Sequence, residues 1–256
     1  MNPKDIKLVV KERYGSIVQP SGSNLKNSCC GGSSGCCGSG TTMATDDYTS
    51  LKGYDPDADF GLGCGIPTQF AGIRPGDHLL DLGSGAGNDC FVARAIVGET
   101  GSVTGLDMTT EMVAKAEENR ERLGYKNISF ICGDIEEMPL PDNSFDVVVS
   151  NCVLNLVPDK RKAFAQIMRV LKSGGHFCIS DVVTKGELPE AVRRDVDMYA
   201  GCISGAVEME EYLRIIAEQG FKEISVHKET EIEVDGDVLK ESGSRVFSIT
   251  VSGYKN

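Results

Sequence analysis

The sequence predicts a doubly wound α/β domain on a mostly parallel sheet, and three observations predict it. Short apolar segments alternate with segments of helical periodicity from residue 78 onward. A glycine-rich turn, Gly83-Ser84-Gly85-Ala86-Gly87, separates the first apolar segment from the helix after it. Acidic residues stand at the ends of three successive strands, at Asp81, Asp107 and Asp134. Repeated strand–helix units of this kind give a parallel sheet with helices on both faces, because each crossover helix packs back onto the sheet.

Taken in order, Ile6, Val9, Val10, Arg13, Tyr14 and Ile17 recur at helical spacing, which predicts an amphipathic helix over 4–18 within an N-terminal unit of residues 1–19. Residues 20–47 shift to Gly, Ser, Asn and Cys, carry Cys29-Cys30 and Cys36-Cys37, and read as a flexible loop. Residues 48–256 form the main domain. A short helix is expected over 64–72, with Pro67 in its first turn. His78 to Leu82 is a buried strand, followed by the glycine turn and a helix near 87–98. A strand over 102–107, a helix over 109–123 and a strand over 128–132 follow. The run FDVVVS at 145–150 is continuously apolar, as a central strand covered on both faces should be. A helix over 159–171 is expected to end in the turn Lys172-Ser173-Gly174-Gly175, before a strand over 176–182. Helices near 187–201 and 208–218 come next. Strands near 222–233 and 245–253 close the chain, joined by a turn around Asp235-Gly236-Asp237.

The 256 residues carry 26 Lys plus Arg against 38 Asp plus Glu, a formal charge of −12. Nothing offers a broad basic face for phosphates, so nucleic acid and anionic membrane are excluded as expected partners. A neutral or cationic small substrate fits better. No apolar run approaches the roughly 20 residues that span a bilayer. The N-terminus has charges spread throughout and no apolar core segment, so it is not a signal peptide, and the expected location is the cytoplasm. Ten cysteines accompany no Trp. In a reducing compartment these are free thiols, ligands or catalytic groups rather than a disulfide framework.

The glycine turn lets backbone approach a ligand where side chains would block it. Its spacing is G-x-G-x-G, not the G-x-G-x-x-G of dinucleotide binders. Asp81 is placed to meet a cationic or amino group, and Asp107 to accept from ribose hydroxyls. Asp134, in Gly133-Asp134-Ile135, could receive an adenine amino group, with Met108 and Ile135 on either face of the base. Gly87 and Asn151, at the same edge, join these candidate cofactor residues. The segments LLDLGSGAG, VTGLDM, GDIEEMPLPDNSFDVVVSN and RVLKSGGHFCISD resemble the class I S-adenosylmethionine methyltransferases over residues 77–182. That resemblance implies a Rossmann-like, seven-stranded sheet with one antiparallel edge strand and S-adenosyl-L-methionine as cofactor. It places Asp81, Gly83 and Gly85 on the methionine moiety, Asp107 on the ribose, and Asp134 and Ile135 on the adenine.

Strand alternation and helix neighbours make Cys90, Cys132 and Cys178 core or strand-end residues. Cys64, Cys152 and Cys202 differ, lying among small residues in GLGCGIP, SNCVLN and YAGCISG near the carboxyl edge of the sheet. Three thiolates around one methyl donor suggest a soft, thiophilic substrate such as trivalent arsenic; a three-Cys zinc site is the competitor. The separations, 88 and 50 residues (64 to 152 to 202), are unlike the short C-x₂-C pairs of structural zinc modules. GLGCGIP, GSGAGNDCFVARA, SNCVLNLVP, GGHFCISD and MYAGCISGA, with the Cys-rich N-terminal loop, are similar to the arsenite methyltransferases from about Ala44 to Phe221. This resemblance implies arsenic(III) bound by Cys152 and Cys202, with Cys64 joining or later forming a disulfide with one of them. It also implies arsenite or its thiol adducts as substrate and a thiol reductant, glutathione or thioredoxin. Two features depart from the family: Ile66 stands where an Asn is common, and the chain lacks a C-terminal extension carried by many relatives. His78, His176 and His227 read as structural. The alternatives are a quinone- or sterol-type C- or O-methyltransferase and a non-catalytic thiol-based metalloid-binding protein.

Overall fold

The structure, a computed structural model, describes residues 3–18, 46–193, 195, 198–199, 201–234 and 242–256. Cys29, Cys30, Cys36, Cys37 and the expected turn at 235–237 lie outside them. The sheet is built from β1 (His78–Leu82), β2 (Ser102–Asp107), β3 (Ile128–Cys132), β4 (Phe145–Asn151), β5 (Leu171–Lys185), β6 (Lys222–Ile232) and β7 (Arg245–Tyr254), in the order β3-β2-β1-β4-β5-β7-β6. Strands β1 to β5 pair in parallel. Strand β7 pairs antiparallel with both β5 and β6.

The doubly wound, seven-stranded fold is as expected, but the antiparallel strand is one place in from the edge. Residues 246–253 of β7 are buried throughout and fill an interior position; β6 is mostly exposed and carries Lys222, Glu223, Lys228, Glu229 and Glu231. Charged side chains of this kind protect a free edge from further pairing.

Helix α1 (Pro3–Val18) precedes the sheet, while α2 (Asn88–Val97), α3 (Thr110–Leu123) and α4 (Lys160–Val170) are the crossovers, each within two residues of its expected span. One face of the sheet buries Phe164, Phe177, Tyr212 and Phe221 with the aliphatic residues of α4 and of the helix Met209–Glu218. The other buries Leu79, Phe91, Val97, Phe130 and Val147 under α2 and α3. Among the described residues no helix is long and apolar enough to cross a membrane.

Two expected elements differ. The helix over 64–72 is only a 3₁₀ turn at Pro67–Gln69. The backbone ahead of it bonds to distant side chains instead: Cys64 N–H donates to Asn151 Oδ1 at 3.0 Å, and Cys64 O accepts from Ser248 Oγ at 2.5 Å. The turn expected at 172–175 is part of β5, which begins at Leu171 and skips register before His176. Gly174, at φ 79°, makes this possible, donating its N–H to Lys255 O at 2.7 Å while Lys255 N–H donates to Gly175 O at 2.8 Å. The span expected as a helix over 187–201 is helical at Glu190–Arg193 and again at 198–199, residues 194, 196–197 and 200 lying outside the described ones; Ser204 Oγ stands within hydrogen-bond distance of Val192 O and Asp195 O there.

Strand order reverses between β1 and β4, which open toward opposite neighbours. In sheets of this kind the ligand crevice lies outside the carboxyl ends of the strands at that switch point.

Candidate active site

A cleft of about 1090 Å³, part of it open to solvent, lies at this switch point. It is lined by Asp81, Gly83, Gly85, Asp107, Met108, Asp134, Ile135, Asn151 and Cys152, all candidates from the sequence. Gly87 is not among the lining residues. At φ 101° it caps α2, and a Cβ there would press on the rings of Phe91 and Phe130, so its surroundings are structural. Gly83, at φ 69°, has Val153 against the position of a Cβ at 2.3 Å, which leaves the turn no room for a side chain.

The cleft floor is acidic. Asp81 is 2% exposed, and burial followed by the neighbouring Asp89 raises its carboxyl well above the ordinary value. Its Oδ2 accepts from the buried Cys90 thiol at 3.2 Å. Burial also pushes Asp89 up, to about 6, against hydrogen bonds from Asn151 and Tyr48 that favour its charge. Asp107 Oδ2 accepts from Gly85 N–H at 3.0 Å and Oδ1 from Thr109 N–H at 2.8 Å. Those bonds oppose the burial that raises it. Ser84 Oγ and Asn88 Oδ1, both on the cleft, are buried without a hydrogen-bond partner among the described residues. A buried polar atom without a partner is costly, so these two are placed for a ligand. Paired carboxylates and unused polar atoms suit a cationic, hydroxyl-rich molecule, and S-adenosylmethionine has both characters.

Helix α1 covers the cleft with Lys7, Val10 and Tyr14. Lys7 Nζ bonds Asp134 Oδ2 at 2.5 Å and also pairs with Glu136. Burial opposes its charge, but these two carboxylates outweigh it and raise the ammonium pKa. The sequence showed the helix but not its place, since periodicity identifies an apolar face without saying what it covers.

Cys64, Cys152 and Cys202 meet in one buried cluster with Val10 and Leu156, and Tyr14 and Met108 pack against it. They come from the 61–67 loop, the end of β4 and the loop before Met209–Glu218. Cys202 Sγ lies 3.0 Å from Cys152 O and donates to it. Hydrogen bonding with the Cys202 and Cys64 thiols, with burial, raises the Cys152 thiol well above its ordinary value; Cys64 is raised chiefly by burial. Cys152 and Cys202 hold left-handed backbone, at φ 58° and 63°. Among the described residues no group of three His, Cys, Asp or Glu side chains is gathered tightly enough to hold a metal ion. Cys152 has both other thiols as hydrogen-bonding neighbours.

The other cysteines divide as follows. Cys90 and Cys178 are fully buried, while Cys132 is exposed at the end of β3. Each histidine has a structural contact: His78 with Ser102 Oγ, His176 stacked on Tyr254, and His227 stacked on Phe70. Ile66, 3% exposed, packs with Tyr48 and Val92, so an apolar contact stands where the expected Asn would have been polar. Tyr48 was not legible as a site residue because it belongs to no spaced motif; Asp89 lies within GSGAGNDCFVARA, where its place in the first turn of a helix gives no sign of a site.

Residues 73–220, more than half of the chain, match the family described as a methyltransferase domain. The arsenite methyltransferase of Halobacterium salinarum is 39% identical over 272 aligned positions, which cover 99% of this chain and 68% of the relative. That of Aquipseudomonas alcaligenes is 34% identical, covering 96% of this chain and 71% of the relative. The crystal structure of an arsenic(III) S-adenosylmethionine methyltransferase from Chlamydomonas reinhardtii is similar at a TM-score of 0.68 and 40% identity, covering 75% of this chain and 67% of its own. Identity of this extent, reaching nearly from end to end of the chain and joined to the same fold, makes it a member of the arsenite methyltransferase family.

Proposed function

We propose that the chain transfers a methyl group from S-adenosylmethionine to trivalent arsenic held by the sulfurs of Cys152 and Cys202, with Cys64 as the third sulfur. The observation that carries this reading is the meeting of three thiols, from positions 64, 152 and 202, beside a cleft that one of them lines. Trivalent arsenic is soft, takes three sulfur neighbours in a pyramid, and keeps a lone pair on the open side.

When bound, S-adenosylmethionine supplies a methyl group on a positively charged sulfur. Asp81 and Asp89 offer negative charge to its cationic head; Asp107 and Asp134 offer acceptors to hydroxyl and amino groups; Ser84 and Asn88 offer unused polar atoms. Arsenite arrives as a thiol adduct. Each bond from arsenic to a carrier thiol is exchanged for one to a protein sulfur, and the cysteine proton leaves on the released thiol. Cys152, which lines the cleft, would hold arsenic with its lone pair free to accept the methyl group that S-adenosylmethionine would supply. Arsenic carries no proton to be removed, so the protein's part is positioning, and no general base is required. No histidine lines the cleft.

Transfer oxidises arsenic by two electrons, so the proposal includes a thiol reductant, glutathione or thioredoxin, and the reducing cytoplasm as location. The six described cysteines are all free thiols, which fits such a compartment. Attack on arsenic needs the thiolate, and the raised Cys152 and Cys64 thiols keep its fraction low at neutral pH, so capture is expected to quicken as pH rises.

The test is arsenic speciation after incubating the purified protein with arsenite, glutathione and S-adenosylmethionine. Methylated arsenic is expected from the wild type, with at least 100-fold less from Cys152→Ser and Cys202→Ser. Unchanged turnover in those variants would contradict the thiolate trap.

A further inference from the structure

The loop that carries Cys64 is held by side chains that also floor the cofactor cleft. Asn151 directly precedes Cys152 in the chain. Its Oδ1 accepts from Cys64 N–H at 3.0 Å, and its Nδ2, with two protons to give, stands 2.8 Å from Gly65 O, 2.8 Å from Tyr48 Oη and 3.1 Å from Asp89 Oδ2. The Tyr48 hydroxyl lies 2.8 Å from Asp89 Oδ1 and 3.0 Å from Gly65 O. It has one proton to give, and two acceptors compete for it.

The loop has no slack against this cluster. A Cβ on Gly63 would stand 2.6 Å from Asn151 Nδ2, and one on Gly65 would stand 2.6 Å from Ser180 Oγ. A small movement of the Asn151 amide therefore moves the Cys64 backbone. Asp89 is 8% exposed, lines the cleft beside Asp81, and forms no ion pair among the described residues. A cation over the floor favours negative charge on Asp89. The charged carboxylate then draws the Tyr48 proton and the Asn151 amide more strongly than the Gly65 carbonyl does.

We propose that Tyr48, Asp89 and Asn151 form a coupling cluster through which bound cofactor seats Cys64 beside Cys152, so that cofactor and arsenic bind cooperatively. The inference rests on the function proposed above and adds to it a positioning role for Tyr48, exerted through Asn151, Asp89 and the Gly65 carbonyl. Coupling of this kind is reciprocal: arsenic held by the three sulfurs fixes the Cys64 loop and tightens the cofactor site by the same factor.

The test uses the full chain and S-adenosylhomocysteine, which keeps the ammonium group and has no methyl to give. Its affinity is measured by calorimetry with and without a saturating arsenite–glutathione adduct, and the ratio of the two affinities is the readout. The wild type is expected to bind at least fivefold more tightly with arsenic present, a ratio that Tyr48→Phe reduces to less than twofold. Loss of packing alone would weaken binding in both conditions and leave the ratio unmoved. Asp89→Asn, which keeps the side chain's shape and removes its charge, is expected to lose the ratio too, and it decides the matter if Tyr48→Phe does not fold. A ratio near one in the wild type, or a fivefold ratio retained in a folded variant, overturns the coupling. A wild type that methylates arsenic without such a ratio leaves the proposed function standing; one that takes up no arsenic ends both.

Discussion

Cys152 and Cys202 hold a backbone conformation that suits glycine better than a branched carbon. Left-handed geometry costs a residue other than glycine roughly 1–3 kcal/mol, and it persists only where the surroundings impose it. Here Cys152 N–H is tied to Ser180 O at 2.8 Å and Cys202 N–H to Tyr199 O at 2.9 Å. The same two turns bring the Cys202 thiol within 3.0 Å of Cys152 O. Cys202→Gly is therefore expected to be more stable than Cys202→Ala by about 1 kcal/mol, the reverse of the usual order; thermal denaturation of the two variants measures it, and a less stable glycine variant would contradict the argument. The carboxylates of the floor give a second expectation. Asp89 is raised to about 6 from the ordinary 3.8, so in the folded protein it takes up a proton as pH falls through about 6. Burial of this group therefore favours the folded state at low pH, and that contribution is lost as pH rises from about 4 toward about 6. A cationic cofactor favours the ionised form, so its affinity should weaken about tenfold between pH 7 and pH 5, and Asp89→Asn should flatten the profile. A flat wild-type profile would mean that Asp89 does not meet the cation.

Helix α1 shows how much an element's place can matter when its existence is already plain. Its spacing of apolar residues identifies a helix, yet nothing local says that Lys7 will reach Asp134 and Glu136, more than a hundred residues away. Long-range pairing of this kind is decided by the whole fold. The pair is partly exposed and by itself contributes little. The cover that Val10 and Tyr14 lay over the cleft counts for more. Removing residues 1–18 is expected to speed cofactor release at least tenfold in stopped-flow measurements, whereas Lys7→Met should change it only a few-fold. Equal release rates with and without the helix would show that it does not close the site. The 61–67 loop teaches the converse: the sequence reads as helical after Gly-Cys-Gly, but the backbone bonds that a helix needs go to Asn151, Tyr48 and Ser248. Tertiary partners overrode local propensity there.

At the scale of the molecule, the parallel core was legible because β1, β2 and β4 are short strands, each followed by a helix that packs back on the sheet. The terminal pair was legible as strands but not in order, since which of them is interior depends on burial from both faces, as in β7. The cofactor side of the site could be read from acids at successive strand ends. The thiol side could be read only as three cysteines in small-residue settings; their convergence depends on the β4 end, the 61–67 loop and the 202 loop folding against one another. Cys90, read as a core residue, is in the core but also supports Asp81, a contact that no spacing announces. The central claim is that arsenic is bound by three protein sulfurs before it accepts carbon. X-ray absorption at the arsenic edge, on protein carrying one equivalent of arsenite after removal of small thiols, tests it most directly. Three sulfur neighbours and no oxygen are expected in the wild type, and two sulfurs with one oxygen in Cys64→Ser; a wild-type spectrum dominated by oxygen neighbours would contradict the account.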